Sequence, residues 1–125
     1  MDYKRLIFVA MIFCHIVDDY YLQGILASMK QKEWWENNAP AILYKYDYLM
    51  ALFMHSFSWA FSIMLVPTIY VILNGLYWDP FLFIGNIVIH MVVDNLKANQ
   101  KKINLILDQT IHLCQILFTW VCMVY

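Results

Sequence analysis

Four long apolar stretches, separated by short polar ones, constrain this chain more than any other feature. They cover residues 6–28, 46–73, 81–96 and 103–124 of 125. A helix that crosses a bilayer needs about 20 mostly apolar residues, so the third stretch is near the lower limit. Hydrophobic residues make up 63% of the chain and charged ones only 14%, against about 25% charged in a soluble domain. One small core cannot absorb that much apolar surface, and a lipid-facing exterior can. No segment alternates with a period of two, so strands are not expected. The fold class predicted is an all-α membrane protein, a four-transmembrane-helix bundle forming one domain over residues 1–125.

The segments between the spans fit this reading. Lys4 and Arg5 before an apolar run resemble a secretory signal, but no small-residue cleavage site follows and Asp18-Asp19 come next. The run therefore reads as an uncleaved first helix. Trp34-Trp35, beside charged residues, suits the membrane–water interface. Pro67 is expected to bend or end the second helix. Asn74-Gly75 opens a tight turn that closes at Asp79-Pro80. Six lysines (30, 32 and 45 in loop 1; 97, 101 and 102 in loop 3) stand against Lys4 and Arg5 on the other side. By the positive-inside rule, loops 1 and 3 are cytoplasmic and both termini outside. The net charge of −1 and the lack of a basic patch exclude a nucleic-acid partner. Cys14, Cys114 and Cys122 lie in apolar runs without a CxxC spacing and read as small core residues.

Against this background the ionisable residues inside the spans stand out. His15, His55, His90 and His112 all lie there, with Asp18, Asp19, Asp94 and Asp108. Each carboxylate at mid-membrane costs roughly 2.5–3.5 kcal/mol unless it pairs, binds an ion or meets water. Their spacing is regular. His15 and Asp19, His90 and Asp94, and Asp108 and His112 are each four residues apart, which places both members on one helix face. At this Asp content, chance gives three such pairs among four histidines roughly once in 200 sequences. The order reverses in the fourth helix, which runs the opposite way. Each Asp is thereby set nearer the cytoplasm, with its His about 6 Å deeper. His55, on the second helix, matches the depth of His112.

Imidazole and carboxylate groups on facing helices are how bundles hold divalent transition metals. The set predicts a buried site for one or two ions, zinc foremost. His15, Asp19, His55, His90, Asp94, Asp108 and His112 would be the ligands, with His55 alternatively the general base of a catalytic site. Asp18, Gln23 and Gln109 are expected to support the ligands rather than bind. A plain set of interhelical His–Asp hydrogen bonds is the competing structural account. His15-Ile-Val-Asp-Asp19 also resembles His90-Met-Val-Val-Asp94. The first two and last two helices could therefore be parallel repeats about an axis normal to the membrane.

The same residues resemble a family of bacterial and phage membrane proteins catalogued as domain of unknown function 3307. Its pattern is His-x-x-x-Asp with a later Gln on the first helix and a lone His on the second. His-x-x-x-Asp with a trailing Lys follows on the third, then Asp-Gln-x-x-His on the fourth. Here that pattern falls on His15, Asp19 and Gln23; His55; His90, Asp94 and Lys97; and Asp108, Gln109 and His112. Asp18 departs from it, since a small residue is more usual there. The resemblance implies four helices and a bacterial inner-membrane setting, and supplies no activity.

The function expected first is a metal-dependent hydrolase acting on a lipid or lipid-linked phosphoester near the cytoplasmic interface. The metal would activate water and polarise the substrate oxygen. Two alternatives stand beside it. One is an ion or proton carrier or channel component. The other is a small structural or interaction protein stapled by a metal. The bilayer is the partner expected in all three, with room left for a homo-oligomer.

Overall fold

The computed structural model describes residues 2–125. Its described residues are helical, without strands. Asp2 opens α1 (Tyr3–Val17) by accepting the Lys4 N–H at 3.1 Å. The first helix does not continue unbroken to residue 28 as its apolar content predicts. At Asp18 it widens into a π turn (Asp18–Leu22), and Gly24 then takes a left-handed φ of +53°, a conformation that stops helices and that glycine adopts without strain. Two short helices follow, α2 (Leu26–Met29) and α3 (Lys32–Asn38), the second within the predicted polar loop.

A 3₁₀ turn (Ile42–Tyr44) leads into α4 (Asp47–Leu73), which runs through Pro67 without ending there. The buried Pro67 removes one backbone donor, yet the turns on either side stay helical. Helix α5 (Pro80–Ala98) has 19 residues, longer than the apolar count of 16 suggested. Asp79 caps it by accepting from the Phe81 N–H, Pro80 takes the first-turn position it favours, and the far end extends through Lys97. Helix α6 (Leu105–Val124) starts at Asn104, whose side chain accepts from the Leu107 N–H.

Three helical segments are long and apolar enough to cross a membrane: Ile42–Leu73, Pro80–Ala98 and Leu105–Val124. The α-helical part of α1, 15 residues, is short for that role. Helix α4 packs against α1, α5 and α6, and α6 closes the ring by touching α1 and α5. Ile7, Met11, Trp59, Ile63, Ile87 and Ile116 form the core between them. The outward faces carry Phe13, Phe57, Phe61, Ile69, Phe118 and other large apolar side chains, exposed along the helices. A surface of this kind belongs against hydrocarbon rather than water.

Loops 1 and 3 meet at one end of the bundle. The Asn99 side chain accepts from the Lys32 N–H at 2.6 Å and donates to the Lys30 carbonyl at 3.0 Å. The lysine-rich loops therefore share a side.

Candidate metal centre

The carboxylates and imidazoles converge just inside the end that loops 1 and 3 cover. Asp94 lies four residues before the end of α5, and Asp108 in the first turn of α6. At 1.5 Å per residue both are only about 6 Å or less inside their helix ends. Asp18, Asp94, Asp108, His15, His55, His90 and His112 are buried, and Asp19 nearly so.

Two groups of side chains lie close enough to hold a metal: Asp19, His55 and His90, and His90, Asp94 and His112. In the first, Asp19 Oδ1 is 3.2 Å from His55 Nε2 and 3.8 Å from His90 Nε2, and the two imidazole nitrogens are 3.2 Å apart. Asp94 Oδ2 lies 3.3 Å from His55 Nε2 and 3.8 Å from His90 Nε2, and is already paired with the Lys30 ammonium at 2.7 Å. Four ligands about 2.0 Å from a tetrahedral zinc are separated from each other by about 3.3 Å. Three of the observed distances, 3.2–3.3 Å, match that value, and the two from His90 Nε2 to the carboxylates, 3.8 Å, exceed it. In the second group the other oxygen of Asp94, Oδ1, is 3.5 Å from His112 Nε2, which lies 3.5 Å from Asp108 Oδ1. Asp94 thus presents one oxygen to each group.

These distances bear on the account in which His–Asp pairs merely bond helices together. The three pairs four apart stand at 3.5 Å (His15–Asp19), 3.8 Å (His90–Asp94) and 3.5 Å (His112–Asp108). Good hydrogen bonds of this type are about 2.7–2.9 Å. Asp19 Oδ1, Asp108 Oδ1 and His112 Nε2 are buried without a hydrogen-bond partner among the described residues. Each such group costs about 1–3 kcal/mol, more if charged. A cation in the first group would satisfy Asp19 Oδ1, and one in the second would satisfy His112 Nε2.

Around the ligand atoms, other side chains fix tautomers and orientation. Gln115 Oε1 lies 3.1 Å from His112 Nδ1, so an Nδ1–H donor there leaves the His112 Nε2 lone pair facing the carboxylates. Asp18 accepts from Ser58 (2.6 Å) and Ser62 (3.1 Å) and sets its second oxygen 3.8 Å from His55 Nδ1. The π turn brings both members of the Asp18-Asp19 pair inward. A regular helix turns successive side chains apart by about 100°. Gln109 bridges the Asp108 carboxylate (2.8 Å) and His15 Nε2 (3.0 Å). His90 packs against both Trp59 and His112, with ring centroids 4.1 Å away in each case, and those two rings lie 5.3 Å from each other.

Three expected residues take other places, the first being Asp108, which joins neither group and accepts at Oδ2 from Lys97 and Gln109, each at 2.8 Å. His15 Nδ1 accepts from the Trp59 indole at 2.8 Å and its Nε2 meets Gln109, so no nitrogen is free for a metal and His15 falls outside both groups. Gln23 does not reach a ligand side chain; it donates to the Asp19 backbone carbonyl at 2.7 Å, steadying the π turn. Asp18 hydrogen-bonds Ser58 and Ser62 rather than a ligand side chain, and Gln109 bonds Asp108 and His15.

Lys30, Asn86, Gln115 and Thr119 were missed from sequence, while Lys97 entered only as the trailing Lys of the family pattern. Lys30 is buried and donates to Asp94 Oδ2 at 2.7 Å, and Lys97 donates to Asp108 Oδ2 at 2.8 Å. Asn86 receives the Gln115 amide at 3.3 Å and donates to Thr119 at 2.8 Å, carrying a buried polar thread from His112 away from loops 1 and 3. The helical spacing contained a signal for most of these. Asn86, His90 and Asp94 recur every four residues, Asp108, His112, Gln115 and Thr119 every three or four, and Trp59 follows His55 by four. With the four imidazoles neutral, four carboxylates against two ammonium groups leave two negative charges, the charge one divalent ion cancels.

Openings exist at both ends. Asp19 and Lys97 keep partial exposure beside loops 1 and 3. The larger cavity, about 540 Å³, lies at the opposite end from the one expected. It runs between α5 and α6 from Tyr77 and Asp79 to Asn86 and Gln115. Comparison with known proteins adds nothing to this picture: no family model, curated protein or solved structure matches the chain.

Proposed function

We propose that this chain is a four-span membrane protein whose buried centre holds a divalent transition metal, zinc foremost, and hydrolyses a lipid or lipid-linked phosphoester beside loops 1 and 3. One observation carries the reading. Asp19, His55 and His90 bring three ligand atoms from three helical elements to within 3.2–3.8 Å of one another, too long for good charge-assisted hydrogen bonds and suited to a shared ion, with Asp94 Oδ2 at 3.3–3.8 Å from the two imidazoles. The fourth span is α1 with its π turn, residues 3–22, about 30 Å at 1.5 Å per residue. A bacterial inner membrane with loops 1 and 3 cytoplasmic belongs to the same reading. So does membership of the family of domain of unknown function 3307.

When bound, the metal would supply a low-pKa water and an electrophile for a phosphoryl oxygen. The chain's own groups do the rest. Gln115 orients His112, and Lys30 and Lys97 stand where phosphoryl oxygens entering from the loop end would meet positive charge. The test is metal analysis of protein purified without chelator, followed by activity on a lipid phosphomonoester. About one equivalent of metal, lost in Asp94→Ala together with phosphate release, is expected. Folded protein free of metal would overturn the reading.

A second reading has its own observation. The thread from His112 through Gln115 to Asn86 and Thr119 borders the 540 Å³ cavity, as an ion or proton pathway needs. Flux in sealed vesicles that Asn86→Leu abolishes, without hydrolysis, would favour it over the enzyme.

A further inference from the structure

Loop 1 carries two neighbouring cavities that share a single wall, the Trp35 indole. Trp35 is fixed there by donating to the Met29 carbonyl at 2.6 Å, and it stacks on Tyr44 with centroids 6.4 Å apart and planes 23° from parallel. On one side is a pocket of about 160 Å³ with Lys32 and Lys45 in its lining. Glu36 lines it too, but only as a loose partner of Lys32 at 3.9 Å, both side chains half or more exposed. On the other side is a cavity of about 290 Å³ against α4, lined by Leu26, Met29, Met50, Ala51 and Met54, with Asp47 at its rim. Neither cavity uses a residue of the metal centre.

The surroundings fix the depth. Ile42 and Leu43, at 89% and 77% exposure, project from the 3₁₀ turn beside the polar pocket. In water such a tip is costly. At the start of an apolar span (Ile42–Leu73) it is a foothold in the hydrocarbon boundary. The pocket with the two lysines therefore lies at headgroup level, and the methionine-lined cavity opens toward the acyl region. A ligand filling both has an anionic head and an apolar tail joined within the width of one indole.

We infer that loop 1 is a binding site for one anionic glycerophospholipid of the leaflet it faces, with the phosphate between Lys32 and Lys45 and an acyl chain along Met50 and Met54. Charge complementarity selects the ligand. Within the polar pocket, where the headgroup sits, two ammonium groups stand against the one carboxylate of Glu36, with Asp47 lining the other cavity, and this favours a net-negative headgroup over a zwitterionic one. The flexible methionines accommodate a chain of varying shape. The lipid is held and not cleaved, so the site does not depend on the hydrolase reading.

Native mass spectrometry of the full chain released from nanodiscs of equal phosphatidylglycerol and phosphatidylcholine tests this. The wild type should retain one phosphatidylglycerol. Lys32→Gln/Lys45→Gln, both at exposed positions that folding tolerates, should weaken retention on the order of tenfold. Met54→Trp, which fills the apolar cavity with charge unchanged, should weaken it as well. If phosphatidylcholine is retained equally, or the lysine double variant keeps phosphatidylglycerol, the inference fails. Quenching of Trp35 by a brominated-chain phosphatidylglycerol gives a readout independent of those variants. Quenching no stronger than with the brominated phosphatidylcholine would also overturn it.

Discussion

On α1, His15 has both ring nitrogens engaged, one by the Trp59 indole and one by Gln109; on α5, His90 turns Nε2 toward His55, Asp19 and Asp94. Both histidines open a His-x-x-x-Asp motif, and both motifs end on a carboxylate facing the same centre. The difference comes from the neighbouring helices. Helix α4 places Trp59 where its N–H meets His15 and its ring face covers His90. Helix α6 supplies Gln109 to the first and His112 to the second. Beyond its histidine, α1 also changes geometry through the π turn and Gly24, whereas α5 stays α-helical to Ala98. A motif of two residues sets a face and a depth. Which atom is free to bind is decided by what packs on that face.

The largest effect expected is therefore the contrast between the two histidines. His90→Ala should leave less than about a tenth of the metal bound by the wild type. His15→Ala, which reaches the centre through Gln109 to Asp108 and through its 3.5 Å approach to Asp19 Oδ2, should weaken affinity by no more than about tenfold at unchanged stoichiometry. Metal analysis after gel filtration measures both. Equal loss in the two variants would mean that His15 re-aims toward the ion and that the motifs act alike.

Lys30 gives the next largest effect, with an informative sign. Its ammonium lies 2.7 Å from the Asp94 oxygen that faces His55 and His90. Lys30→Met frees that oxygen and removes a repelling charge a few ångströms from the ion. Even at an effective dielectric of 20, this should raise metal affinity by about tenfold or more. If the cluster were held by ion pairs alone, the same substitution would strand a buried carboxylate and destabilise the protein with or without metal. Competitive titration with a zinc chelator, beside thermal unfolding, distinguishes the two.

How far the centre was legible in the sequence follows from the same contrast. Apolar run lengths located α4, α5 and α6 within a few residues, because lipid-facing helices must be apolar almost throughout. The spacing of four picked out Asp19, Asp94, Asp108, His90 and His112, whereas His55, with no Asp four away, was placed by its depth in the second helix and by the family pattern. What was illegible depends on contacts between elements. The capture of His15 by Trp59, the reach of Lys30 from loop 1 to Asp94, and the widened turn at Asp18 have no periodic signature. Gly24 did have a local one, a glycine inside an apolar run, and its effect on the first helix was overlooked.

Trp59 offers a smaller test. Trp59→Phe keeps an aromatic face on His90 but removes the donor to His15 Nδ1 in a fully buried position. The loss of one buried hydrogen bond should cost about 1 kcal/mol of stability, while metal stoichiometry stays at its wild-type value. A change in stoichiometry would show that the indole, by fixing His15, also decides how many ions the centre takes.

The smallest expected effects come from two glycines that mark the different paths of α1 and α5. Gly24 has a φ of +53°, and a Cβ there would meet nothing nearer than the Leu22 carbonyl oxygen at 3.9 Å. Space is not limiting, so Gly24→Ala should carry only the backbone cost of a left-handed alanine, about 1 kcal/mol. Gly85 lies inside α5 with no atom within 4 Å of a built Cβ and no positive φ. Gly85→Ala should therefore stabilise by about 0.5–1 kcal/mol through the lower entropy of the unfolded chain. Unfolding in mixed micelles should move in opposite directions for the two variants. Because the turn stopped by Gly24 carries Asp19, and Gly85 carries no ligand, Gly24→Ala should also lower metal affinity slightly while Gly85→Ala leaves it unchanged. A destabilised Gly24→Ala protein with unaltered affinity would show that the π turn holds Asp19 in place without the glycine stop. The broken end of α1 would then be a matter of chain routing rather than of the centre.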